Sequence, residues 1–190
     1  MPSPAFDPAG LAHSLARGRR VVAAGLRGSA PAFVVAAVAQ HHRGAMLWVA
    51  PDEETASHVH RELTTFLGKH ADRRVLLYPA SDVEPYSGLS PHAEVSRRRI
   101  EILGRLLDGR PDLVVASVGA LFKRVLPRPR LGNAQELLAV GEEVDREALL
   151  ESMVEWGYLS TDLTEDPGCF SVRGHVMDVY PPGFDGPLRI

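Results

Sequence analysis

The chain has 190 residues, 45% hydrophobic and 24% charged, which suits one large soluble domain or a domain and a half with a real core. Its formal net charge of −3 argues against a small autonomous nucleic-acid binder, which carries a basic excess, and leaves room for a local basic face. One cysteine, Cys169, excludes an internal disulfide or a Cys-rich zinc site, and with no signal segment or run of membrane-spanning length the expected location is cytoplasmic.

From residue 20 to 118 short apolar runs alternate with amphipathic stretches. Val21–Ala24 is the expected strand before GLRGSAPA, residues 25–32. PAFVVAAVAQHH then starts a helix at Pro31, which needs no N–H donor in a first turn. Ala45–Ala50 reads as a buried strand. The spacing of Ala56, Val59, Leu63 and Phe66 predicts one buried face on a helix over 52–67, opened by Asp52 and Glu53. Val75–Tyr78 is the next strand, followed by the Pro/Gly/Ser-rich loop PASDVEPYSGLSP. Pro91 begins a helix to Leu107, with Val95, Ile102, Leu103 and Leu106 inward, and LVVAS (113–117) is the most strand-like segment. Strands separated by helices of this size mean βαβ units and a parallel sheet.

After residue 124 the texture changes. LPRPRLG (126–132) reads as a linker, and Asp145 caps a helix from Arg146 to Trp156, ended by Gly157. Phe170–Arg173 and His175–Tyr180 are alternating runs separated by Gly174, the strands of a second, α+β unit. The closing GPLRI resembles the opening of a strand, so a longer parent chain is expected.

Residues 25–32 fit the frame G-x-x-x-x-G-K-[ST] at Gly25, with Gly28 inside it, and fail where phosphate is held. Ala30, Pro31 and Ala32 replace the glycine, the lysine and the magnesium-binding hydroxyl. Without the charge and the metal ligand, phosphoryl transfer loses its two main stabilisers, so no ATP hydrolysis is expected here. Alone the motif is a strand-to-helix turn of small residues; its βαβ context favours a phosphate loop that has lost its chemistry.

Other constellations are weaker. His41/His42 and His58/His60 lack helical metal-ligand spacing, and no metal site is expected. Arg97, Arg98 and Arg99 fan over most of a helical turn. They read as a solvated face pairing with Glu94 and Glu101, with a minor phosphate contact as the weaker alternative. STDLTEDPG (160–168) reads as a solvated turn.

Four segments carry a resemblance when taken in order. They are LLYPASDVEPYSGLSPHAEVSRRRIEILGRLL, DLVVASVGALFKRVLP, GEEVDREALLESMVEWGY and GCFSVRGHVMDVYPP. The chain from about residue 8 resembles the N-terminal module of the bacterial transcription-repair coupling factors, which is similar in turn to UvrB of nucleotide-excision repair. Arg173-Gly174 with Asp178, Pro181 and Pro182 is the most specific part. UvrB keeps an intact phosphate loop and a long DNA-threading hairpin; here the loop is degenerate and VEPYSGLSPHAE is short.

The resemblance implies a P-loop-NTPase-like, helicase-type α/β domain over 1–124 with an inactive phosphate loop, and a smaller, truncated α+β domain over 125–190. It implies that the second domain recruits UvrA. Arg173 matches the family's docking arginine, Phe170 is its aromatic neighbour, Tyr158 lies in the GY turn, and Ser160 and Ser171 stand where UvrB-like sequences often have arginine. ATP, Mg²⁺, RNA polymerase and double-stranded DNA are then matters for other domains of a translocase parent, and this stretch is expected to be monomeric, without a cofactor or a membrane. An active UvrB-like helicase subunit and a direct DNA-binding module through Arg97–Arg99 remain the alternatives.

Overall fold

The structure, a computed structural model, describes residues 6–68, 75–81, 83, 92–109 and 112–190. The chain divides into two compact units. Unit 1 is Met1–Ala80 with Asp108–Lys123, and unit 2 is Ser81–Leu107 with Arg124–Ile190.

In unit 1, Asp7 caps α1 (Pro8–Ala16) by accepting the Gly10 N–H at 3.0 Å; the small residues of PAGLAHSLA give no clear apolar stripe to announce this helix. Next come α2 (Ala30–Ala39), β1 (Met46–Ala50), α3 (Glu53–Leu67), β2 (Val75–Tyr78), β3 (Leu113–Ser117) and the one-turn α5 (Val118–Leu121); α4 (Ala93–Leu107), which belongs to unit 2, follows β2 in chain order. The Asp52 carboxylate accepts the Thr55 N–H at 2.7 Å to start α3, and this bonding holds its carboxyl below the ordinary value. The strands form a three-stranded parallel sheet in the order β1-β3-β2, with Trp48 and Leu77 each opposite Val115. β3 is buried along its whole length, as a central strand with covered faces must be. Ala32, Ala36, Ala56, Val59 and Leu63 of α2 and α3 close over Leu113 and Val115.

Two expectations are corrected here. Val21–Ala24 is not a strand: it pairs with nothing in either sheet among the described residues, and Val21 and Val22 are 41% and 78% exposed. Two alanines in four residues leave it little area to bury. Phe66 is 38% exposed rather than buried. A helix advances about 100° per residue, which puts Phe66 at the margin of the Ala56–Val59–Leu63 stripe.

Unit 2 contains α4 (Ala93–Leu107), α6 (Arg128–Asn133), α7 (Arg146–Glu155), β4 (Leu159–Ser160), β5 (Cys169–Arg173), β6 (Val176–Val179) and β7 (Leu188–Arg189). The expected start of α4 at Pro91, and residues 82 and 84–91 of the loop before it, lie outside the described residues. On α4 Ile102 is buried, while Val95, Leu103 and Leu106 are half-buried. The expected linker is a helix for most of its length: α6 accommodates its proline in the first turn and buries Leu131. The sheet runs β4-β5-β6-β7, parallel in the first pair and antiparallel in the others. α7 begins on Asp145, which accepts from Glu147 and Ala148. It ends as a Schellman motif, with Gly157 at φ +88° and bonds Tyr158 N–H to Met153 O and Gly157 N–H to Val154 O.

Leu63→Ala should cost about 2–5 kcal/mol through its cavity in unit 1, whereas Leu137→Ala, at a position 90% exposed, should stay within about 0.5 kcal/mol. Urea midpoints of the two variants against the parent check this.

Candidate functional site

The β5–β6 hairpin sorts its side chains by pleat. Phe170 pairs with Val179 and Val172 with Met177, so these share one face; Ser171 pairs with Asp178 and Arg173 with Val176 on the other. The first face meets α7, where Phe170, Met177 and Val179 bury against Leu149 and Met153. Phe170 is 4% exposed. It is therefore a core residue and no surface companion to Arg173: residues three apart on a strand point to opposite sides.

The second face is polar. The segment after β4 straps across it, and the Thr164 hydroxyl is shared between the Ser171 hydroxyl (2.9 Å) and the Asp178 carbonyl oxygen (3.1 Å). Thr164 and Ser171 are both buried, so Ser171 is sealed away. The expected solvated turn is a structural strap, because a buried hydroxyl needs a partner and each supplies the other's. Beside it Arg173 stays exposed, its Nη2 donating to the Asp162 carbonyl at 2.6 Å. Arg189 of β7 grips Asp178 with both arms of its fork, Nε to Oδ1 at 2.7 Å and Nη2 to Oδ2 at 2.9 Å. These bonds hold the Asp178 carboxyl below its ordinary value, helped by the charges of Arg189 and Arg173, and raise Arg189 in turn. Arg146, the first residue of α7, donates to the Gly174 carbonyl at 2.7 Å and steadies the hairpin tip.

The other candidates lie elsewhere. Ser160 is exposed on β4, and Tyr158 is half-buried, its hydroxyl pushed to higher pKa by burial. The Cys169 thiol is pushed up by burial and by Asp166, which keeps it protonated and a poor nucleophile. In unit 1 Gly25 and Gly28 take φ of +78° and +57°, Ala30 and Pro31 open α2, and Ala32 is wholly buried under the sheet. A hydroxyl at position 32 would face the core. On α4 Arg97 lies 3.9 Å from Glu94, Arg98 is exposed, and Arg99 is half-buried. No group of three His, Cys, Asp or Glu among the described residues has metal-binding geometry.

Sequence reasoning missed Arg189, Arg146 and Thr164. Their roles depend on strand register and on contacts 11, 28 and 14 residues apart in sequence, for which no local pattern exists.

Residues 137–190 match the family described as the UvrB interaction domain. The chain is 38% identical over 180 residues to the transcription-repair-coupling factor of Myxococcus xanthus, covering 93% of this chain and 15% of that protein. It is 32% identical over 167 residues to the Bacillus subtilis protein of the same name, covering 88% and 14%. It is 28% identical over 169 residues to UvrABC system protein B of Xanthomonas campestris pv. campestris, covering 83% and 25%. The resemblance to the N-terminal module of the coupling factors is borne out over most of this chain, and the chain spans about one seventh of the length of those relatives.

The Arg189–Asp178 pair sets a pH dependence. Since the folded carboxyl lies below its ordinary value of 3.8, its contribution is complete above that value and is lost as pH falls through the lowered one. Asp178→Asn should lower the melting temperature at pH 7, and the gap to the parent should close progressively below about pH 4, as followed by circular dichroism.

Proposed function

We propose that this chain is a non-catalytic module of a transcription-repair coupling factor, acting in nucleotide-excision repair, and that its second unit docks UvrA. The observation that carries the reading is a coincidence of place. The stretch matching the UvrB interaction domain, 137–190, is the stretch that displays Arg173 on an ordered polar face, with Asp178 and Arg189 beside it.

The chemistry supports that assignment. Arg173 is positioned by one bond to a backbone carbonyl, and its Nε and Nη1 have no hydrogen-bond partner among the described residues. A guanidinium already oriented, with two donor groups to spare, can take a carboxylate or a carbonyl of a partner at little ordering cost. Arginines in such settings carry a large share of interface energy. Ser171 is sealed, so the contact falls to Arg173, with Val176 and Arg189 as its neighbours on the same face.

Unit 1 is read as a nucleotide-fold relic. It has the parallel sheet and the glycine loop leading into a helix, without the lysine, and the reading assigns it no ATP hydrolysis. ATP, Mg²⁺, RNA polymerase and double-stranded DNA belong, on this proposal, to motor and polymerase-binding domains of a translocase parent. A cytoplasmic location goes with the reading; no described helix is long and apolar enough to cross a membrane.

Purified UvrA should bind this chain, and Arg173→Ala should weaken binding by about 30-fold. Equal binding by the two proteins overturns the role of Arg173, and absence of binding by both overturns the docking reading. The chain should release no phosphate from ATP above the enzyme-free rate, with or without DNA; measurable turnover would favour the UvrB-like helicase subunit instead.

A further inference from the structure

The glycine loop enters α2 at Ser29, which makes no side-chain bond to its own helix, and the first turn of α2 contains no acidic residue. The positive end of that helix therefore has no charge of its own to offset it. α3 supplies one. The Ser29 hydroxyl donates to Glu62 Oε1 at 2.5 Å, and the same oxygen lies 3.2 Å from His58 Nε2, one turn back on α3. Only 16% of the Glu62 side chain is exposed. The carboxylate is held by helix packing: one turn further along both helices, Phe33 and Phe66 meet edge to face with ring centroids 5.6 Å apart.

We propose that Glu62 is a built-in anion for the degenerate loop, a carboxylate from α3 that closes the end of α2 and keeps residues 25–33 in one conformation whether or not nucleotide is present. In a working phosphate loop the negative charge at this end is the phosphate it holds. Here the negative charge belongs to the chain itself and cannot dissociate. A phosphate approaching the loop finds no lysine at position 31 and a carboxylate bonded to Ser29, and like charges repel. The loop has thus changed from a ligand-responsive element into a fixed one, a separate matter from docking by unit 2.

Hydrogen exchange of the 190-residue chain tests this. In the parent, a large excess of magnesium–ATP should leave exchange in residues 25–33 unchanged. Glu62→Ala should speed exchange there by about tenfold while β5 and α7 keep their rates, which also shows that the variant is folded. Glu62→Gln, which keeps an oxygen for Ser29 and loses the charge, should fall between the two, with a difference from the parent that shrinks in high salt. Unchanged exchange in Glu62→Ala, or protection of residues 25–33 by ATP in the parent, would overturn the proposal.

Discussion

The pleat of the β5–β6 pair decides what unit 2 can offer a partner. Neighbouring residues on a strand must face opposite ways, so the register that puts Phe170 against α7 also puts Arg173 on the far side. The two demands reinforce each other. Burial of Phe170, Met177 and Val179 holds the hairpin in register, and the register presents Arg173. A slip of one residue would drive the guanidinium into the core and Phe170 into water, so the Arg173 face is as stable as the core behind it.

Polar bonds then complete the face. Thr164 and Ser171 satisfy one another beneath the strap, and Arg189 engages Asp178 from β7. Arg146 fastens the hairpin tip and Asp162 takes one arm of Arg173. Most of these bonds end on backbone carbonyls or on residues of the same sheet, so the surface is arranged before any partner arrives. Preorganisation of this kind lowers the cost of association. In unit 1 the same economy works toward closure: small residues at Ala32 and Ala36 let α2 lie close on the sheet, and the Ser29 hydroxyl ties the start of α2 to Glu62 of α3.

Much of this was legible in the sequence. Long amphipathic helices at 53–67 and 93–107 and the all-apolar LVVAS declared themselves by period and composition, and the helix at 146–155 by its Asp145 cap, as Asp52 did for its own. What stayed hidden was non-local. Val21–Ala24 has strand-like residues and no partner strand among those described; α1 and α6 are short helices whose stripes are diluted by alanine, glycine and proline. On the β5–β6 hairpin, Arg173 was readable through a motif, while the burial of Phe170 needed the strand's facing and that of Ser171 needed the strap. Arg189 became relevant only through register.

Docking through the Arg173 face is open to photo-cross-linking to UvrA, comparing a photoreactive residue at Val176, exposed on that face, with one at Val22, exposed in unit 1. Cross-links are expected from position 176, abolished by Arg173→Ala, and none from position 22. Cross-links from position 22 alone would contradict it.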